Sequence, residues 1–281
     1  MITITGAGGL LGRTLVKKLK EAKTDIKAVY KKDLDLNNRR QVNKFLNQLK
    51  TDIIINCAAI TDVDACEIDR RLAKRVNADA VAELSSYPCV FMQISSDFIL
   101  ASNSTVHPLN DFDLCNDKYR PVNWYGRMKM RAERFTKLNP HHYIIRTSSI
   151  YGECGKTFLS KLPDLLKNNQ PVKALSDIEI TPNYTGDVAD FIITTLSKNF
   201  GVYHASNAFT ITPLEIALQM KAYMKSKSEI TPISIKDLNL KAERPTNIKL
   251  IPSDNYKYNW QDSLHLFLDG IINQTNTTSK N

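Results

Sequence analysis

Ile2-Thr3-Ile4-Thr5-Gly6-Ala7-Gly8-Gly9-Leu10-Leu11-Gly12 opens the chain with a short β-favouring run, a cluster of glycines and the start of a leucine repeat. Leu11, Leu15 and Leu19 recur every four residues with Lys17, Lys18 and Lys20 between them, which is the pattern of an amphipathic helix. A strand feeding through glycines into a helix can cradle a phosphate. Glycines permit the tight turn and let backbone N–H groups approach a pyrophosphate at the positive end of the helix. Gly6, Gly9 and Gly12 are spaced G-x-x-G-x-x-G, and Gly8 also fits a G-x-G start.

The same rhythm continues downstream. Ile26 to Tyr30 reads as a strand, Val42, Phe45, Leu46 and Leu49 mark a helix, and Ile53-Ile54-Ile55 is a run suited to a strand covered on both faces. Leu72 to Leu84 reads as helix and Cys89 to Ile94 as a strand ending at Ser95-Ser96. A helix follows from Tyr125 to about Leu138, then a strand at Tyr143 to Arg146. Alternation of this kind predicts an α/β fold with parallel pairing and right-handed crossovers, a Rossmann-like doubly wound sheet. After Ile150 the rhythm loosens, and prolines at 163, 171 and 182 break it, although Asp187 to Leu196 still reads as helix and Val202 to Ala205 as strand. The expected layout is a nucleotide-binding domain over 1–150, with returns near 183–207 and 240–252. A smaller C-terminal substrate-binding lobe takes 151–182 and 208–273, and 274–281 is a polar, disordered tail.

Composition narrows the class. With 281 residues and 42% hydrophobic content the chain can bury a substantial core, and no apolar run is long enough to span a bilayer. The N-terminus lacks a signal peptide, so a cytoplasmic protein is expected. Cys57, Cys66, Cys89, Cys115 and Cys154 have no metal-ligand spacing and read as reduced thiols; no metal is expected. The formal charge is +9, but the lysines are scattered with no aromatic-interleaved basic block, which argues against nucleic acid. Such a field suits anionic small molecules, NADPH and a sugar nucleotide among them.

Cofactor choice is set where the second strand ends. An acid there would bind the ribose 2′-hydroxyl of NAD. This chain has Tyr30-Lys31-Lys32, two cations suited to a 2′-phosphate, so NADP is favoured and NAD stays open; Asp33 and Asp35 lie close enough to offset part of that charge. The chemistry concentrates on Ser96, Asp97, Tyr125 and Lys129. Tyr125 and Lys129 stand four apart, one helical turn on one face. A phenol of ordinary pKa about 10 becomes a better acid beside an ammonium, and it could protonate a carbonyl oxygen as hydride arrives. Ser96 would hold that oxygen, Asp97 a substrate hydroxyl, and Lys129 the cofactor ribose as well. Asn56-Cys57-Ala58-Ala59 ends the third strand with small residues that would let a cofactor lie across the sheet edge.

These residues resemble the extended short-chain dehydrogenase/reductases, and within them the dTDP-4-dehydrorhamnose reductase group, with the methionine adenosyltransferase β subunit as a relative. Asn56-Cys-Ala-Ala-Ile-Thr-Asp-Val-Asp64 is similar to that group's Asn-Ala-Ala-x-Thr-x-Val-Asp stretch. Ser95-Ser96-Asp97-Phe98 resembles its Ser-Ser-Asp-Tyr, and Pro121-Val-Asn-Trp-Tyr125-Gly-Arg-Met-Lys129 its Pro-x-Asn-x-Tyr-Gly-x-x-Lys. Arg146-Thr-Ser and Arg244-Pro-Thr-Asn247 match two further elements. The resemblance implies that Gly6, Gly9, Leu10, Leu11 and Gly12 contact the dinucleotide backbone, that Asp35 and Leu36 flank the adenine, and that Ala58, Ala59, Ile60 and Thr61 line the cofactor cleft. Val63, Ser149 and Arg244 join Ser96 and Asp97 toward the sugar. The implied reaction is NADPH-dependent reduction at C4 of a nucleotide-linked 4-keto-6-deoxy sugar, as in rhamnose-type biosynthesis. A non-catalytic NADP-binding regulatory subunit and a sugar-nucleotide epimerase are the alternatives, and a homodimer is compatible with the resemblance. The chain departs from the group where Ser149 replaces a common Trp and Phe98 a common Tyr. Thr14 also stands where some members carry a Glu linked to metal-bridged dimers.

Overall fold

The computed structural model describes residues 1–108 and 117–278, with side chains through Asn273; Cys115 and residues 279–281 lie outside the described residues. In chain order the first half runs β1 (Ile2–Thr5), α1 (Leu10–Glu21), β2 (Ile26–Val29), α2 (Arg39–Gln48), β3 (Ile53–Asn56), α3 (Val63–Ile68), α4 (Arg70–Lys74) and α5 (Ala80–Ser85). It continues with β4 (Val90–Ser96), β5 (Thr105–Val106), α6 (Trp124–Thr136) and β6 (His142–Thr147). The second half holds β7 (Ser149–Tyr151), α7 (Phe158–Lys167), β8 (Val172–Leu175), β9 (Pro182–Tyr184), α8 (Thr185–Thr195) and β10 (Gly201–Ala205). It ends with α9 (Pro213–Tyr223), β11 (Ile230–Ile233), β12 (Lys249–Leu250) and α10 (Trp260–Thr278).

Six strands form one parallel sheet in the order β10-β6-β4-β3-β1-β2. The chain steps from β1 outward to β2, then returns across β1 to β3 and continues the other way. That reversal opens a crevice at the carboxyl ends of β1 and β3, the place where doubly wound sheets bind ligands. Ile4, Ile55 and Met92 bury one sheet face against Leu11, Leu15, Val188 and Ile192 of α1 and α8. Ile54 and Phe91 bury the other with Val42, Leu84 and Ala132 of α2, α5 and α6. A separate cluster of Leu159, Leu162, Leu166, Met220, Trp260 and Phe267 holds α7, α9 and α10 together beside the sheet.

Three segments differ from the sequence reading. The expected helix over 72–84 is interrupted by a π-helical turn at Arg75–Asp79. Pro163 lies inside α7 rather than ending it, because the buried face of Leu159, Leu162 and Leu166 carries the helix past the missing N–H. Helix α10 is continuous to Thr278, into the stretch read as a polar tail. Among the described residues no helix is long and apolar enough to cross a membrane.

Candidate active site

The glycine turn is built by backbone contact. Gly6 sits at φ +68°, and a Cβ there would lie 2.6 Å from the amide nitrogen of Ala58. A Cβ on Gly12 would lie 2.3 Å from the Gly6 carbonyl oxygen. Only glycine lets the turn, the first turn of α1 and the chain after β3 approach so closely. Helix α1 starts at Gly9 with no side-chain cap and no acidic residue in its first turn. Its leading amides and positive dipole end therefore suit a pyrophosphate. Leu11 is buried in the sheet core, so only its backbone can serve a ligand, whereas Leu10 is half-buried.

At the end of β2, Tyr30, Lys31 and Lys32 are exposed, and the Tyr30 ring rests against Gly8. The acids nearby are turned onto the backbone: Asp33 accepts from the Tyr30 amide at 3.0 Å and Asp35 from the Asn37 amide at 3.0 Å. Leu36 is buried among Val29, Leu34 and Val42, so its side chain is core. After β3, Ala58, Ala59 and Ile60 are half-buried and Thr61 is exposed. This loop is clamped by a residue the sequence reading missed. Asn77, in the π-helical turn, accepts from the Ile60 amide at 2.8 Å and donates to the Ile60 carbonyl at 2.9 Å. π-turns of this kind concentrate at functional sites, and nothing local in the sequence marks this one.

Ser96, Asp97, Tyr125 and Lys129 come together at the carboxyl ends of β4 and β6, all less than 10% exposed. Asn123 caps α6 by accepting from the Gly126 amide at 2.8 Å. A Cβ on Gly126 would lie 2.0 Å from the Phe98 carbonyl oxygen, so the glycine after the tyrosine brings α6 onto the Ser96–Phe98 turn. Phe98 meets the Tyr125 ring edge-on at 5.8 Å, and Val63 packs into the same cluster. Ser96 donates to Asp97 at 3.0 Å, and Ser148 donates to the other carboxylate oxygen. Ser148 was also missed; it becomes visible only when β4 and β6 are set in register, Ser96 opposite Thr147. Ser149, the next residue, opens β7 half-buried. Arg244 donates to Asp64 in α3 at 3.0 Å, and Asn123 holds the Glu243 carbonyl at 2.8 Å, so this loop is tied to the start of both α3 and α6.

Burial decides the electrostatics. It pushes the Tyr125 phenol well above its ordinary range; a Ser96 hydrogen bond pulls back and the Asp97 charge adds to the rise. The expectation that Lys129 makes this phenol easier to ionise is therefore corrected for the protein alone. The ammonium is 5.8 Å from the ring centroid and donates to the Ile94 carbonyl at 3.0 Å. Burial lowers Lys129 to about 8, against the opposing pull of Cys57, Cys66 and Glu133. Burial raises Asp97 to about 6, moderated by Ser148 and Ser96. The result is a protonated phenol, a lysine poised near neutrality and a carboxylate within one cleft. Among the described residues no group of three or more His, Cys, Asp or Glu could hold a metal ion.

A nucleotide-type crevice whose far wall carries an acid of this kind defines an extended short-chain dehydrogenase/reductase. More narrowly, the chain belongs to the RmlD substrate binding domain family, matched over residues 1–269. It is similar to the spore coat polysaccharide biosynthesis protein SpsK of Bacillus subtilis, 29% identical over 249 residues, 87% of this chain and 86% of that one. It is 28% identical over 266 residues to dTDP-4-dehydrorhamnose reductase of Aggregatibacter actinomycetemcomitans, 88% of each chain. Among solved structures, a dTDP-4-dehydrorhamnose reductase of Clostridium acetobutylicum superposes with a TM-score of 0.85 at 29% identity, over 96% of this chain and 99% of that one. The Bacillus anthracis dTDP-4-dehydrorhamnose reductase, solved in complex with NADP, gives 0.85 at 26% identity over 96% and 98%.

Proposed function

We propose that this chain is an NADPH-dependent reductase acting on the C4 ketone of a nucleotide-linked 4-keto-6-deoxy sugar, in deoxysugar biosynthesis of the rhamnose type. The reading is carried by Tyr125, a buried and protonated phenol brought together with Ser96 and Asp97 and one helical turn from Lys129, beside a glycine turn that fits a dinucleotide. Support comes also from family membership and from relatives named for this reaction.

Bound NADPH supplies the hydride. Tyr125 donates its proton to the carbonyl oxygen as negative charge builds there, and Ser96 turns its single O–H from Asp97 to donate to the same oxygen. Lys129, in its charged form, stabilises the phenolate left behind. Asp97, held by Ser148, accepts a hydroxyl of the sugar. Val63, Ser149 and Arg244 border the sugar. Cytoplasmic operation fits free thiols such as Cys57 and Cys66.

The assay is NADPH consumption with dTDP-4-keto-6-deoxyglucose and related 4-keto sugars. Turnover is expected, with kcat/KM level near neutrality and falling about tenfold per pH unit above about 8, as Lys129 loses its proton. The sign follows from the charged lysine being the active form. NADPH binding without turnover on any 4-keto sugar would instead favour a regulatory subunit. At the ribose edge, replacing Lys31 and Lys32 together by Ala should weaken NADPH about tenfold or more and leave NADH nearly unchanged, since the acids beside them already serve the backbone. Equal losses for both cofactors would remove the phosphate-clamp assignment.

A further inference from the structure

The register of β1, β3 and β4 brings three polar side chains into one row: Thr5 opposite Asn56, and Asn56 opposite Gln93. They are 1%, 0% and 1% exposed. Two residues earlier on the same face stand Ile54 and Phe91, packed in the core. Polar groups this deep are retained when they find partners, and each side-chain polar atom of the three has one. Thr5 donates to Asn56 Oδ1 at 2.6 Å, Asn56 Nδ2 to Gln93 Oε1 at 2.7 Å, and Gln93 Nε2 to the Ile94 carbonyl at 2.7 Å. The direction of the chain is set at both ends. The Ala58 amide donates to Asn56 Oδ1 at 3.2 Å, which fixes that amide, and the Ile94 carbonyl can only accept.

The row ends on a carbonyl with a second visitor: Lys129 Nζ donates to the same Ile94 oxygen at 3.0 Å. Three apolar side chains would fill the same space without needing partners. What the polar row adds is a rigid link. It joins the residue before the glycine turn and the amide of Ala58, in the loop after β3, to the seat of the lysine.

We propose that Gln93 is a positioning residue for Lys129. Its amide holds the Ile94 carbonyl at the place and angle that keep the ammonium pointed into the cleft, leaving further ammonium donors for groups that enter it. Successive bonds that all point one way polarise one another, which strengthens the Gln93 amide as the donor that fixes the Ile94 carbonyl. This rests on the reading of Lys129 as a group that serves both cofactor and phenol.

The test is a double-mutant cycle of Gln93→Met with Lys129→Met, read by NADPH Kd from fluorescence titration, by kcat on the keto sugar and by thermal melting. Gln93→Met alone should lower kcat about tenfold or more and raise the NADPH Kd about threefold. In the Lys129→Met background the same change should have no further effect on either quantity. Equal fold-losses in both backgrounds would overturn the proposal, because a merely structural role is indifferent to the lysine. If Gln93→Met does not fold, the cycle is run with Thr5→Val, which reads the row from its far end; a loss seen only with Lys129 present supports the link, and an equal loss refutes it. Parent protein that binds NADPH but reduces no keto sugar defeats the functional reading alone, and the Kd cycle still decides the role of Gln93.

Discussion

Tyr125→Phe is expected to lower kcat by about a thousandfold, with NADPH Kd within about twofold of the parent. The ring stays where it is: it packs with Cys66, Ala73 and Phe98, and none of those contacts uses the hydroxyl. Ser96 keeps its bond to Asp97, so no buried donor is stranded. What disappears is the proton that Tyr125 would transfer to the substrate oxygen, which a hydrogen bond from Ser96 would polarise but not protonate. Water is a poor substitute in a cleft whose four central side chains are each less than 10% exposed. Burial raises the phenol above its ordinary range, so the parent group is protonated throughout the working pH range and the substitution removes a donor at every pH. The checks are single-turnover rates of NADPH oxidation and fluorescence titration of NADPH on the same samples. A variant that turns over within tenfold of the parent would take Tyr125 out of the proton-donor role.

Short-range order made much of this protein legible. The β1–glycine–α1 segment could be read because a strand, a turn and a helix each leave a local period, and Gly6 and Gly12 stand where a Cβ would strike backbone. Tyr125 and Lys129 could be paired because helical spacing alone puts them on one face. Illegible parts depended on distant strands coming into register or on burial. Ser148 reaches Asp97 only through the β4–β6 pairing, and Gln93 reaches Asn56 only through β3–β4. Asn77 clamps Ile60 from a π-helical turn whose sequence reads as ordinary helix. The charge balance of the tetrad was misjudged for a related reason. Sequence shows that a lysine lies near a tyrosine, but not that both are buried and that the lysine is held on a backbone carbonyl. Helix α7 was missed because a proline outweighs its neighbours locally, whereas its stability comes from packing against α9.

Arg146→Met should destabilise the protein by about 3–5 kcal/mol, the usual result of removing one partner of a buried pair. Arg146 and Glu133 are both fully buried, joined by two bonds of 3.0 and 2.9 Å between the last turn of α6 and the end of β6. The guanidinium also donates to the Tyr119 hydroxyl at 3.0 Å and lies over that ring. Burial pushes the Arg146 pKa down, but the Glu133 charge and its hydrogen bonds more than compensate, leaving it above its ordinary value. A methionine fills most of the volume but leaves the fully buried Glu133 carboxylate without its two guanidinium bonds. Glu133 stands four residues beyond Lys129, itself four beyond Tyr125, so the pair also sets the axial position of the helix that carries the acid. Stability from urea unfolding should therefore fall steeply in Arg146→Met and recover by at least half in Arg146→Met with Glu133→Leu, where neither charge is left alone. A second readout follows from His204, whose pKa is held down to about 3 first by burial and then by the Arg146 charge. In the double variant that charge is gone, so the His204 pKa should rise, a shift visible in its imidazole NMR resonances. A single variant within 1 kcal/mol of the parent would show that the ion pair is not what holds α6 against the sheet, and the placement of Tyr125 would then rest on Gly126 and its contact with Phe98.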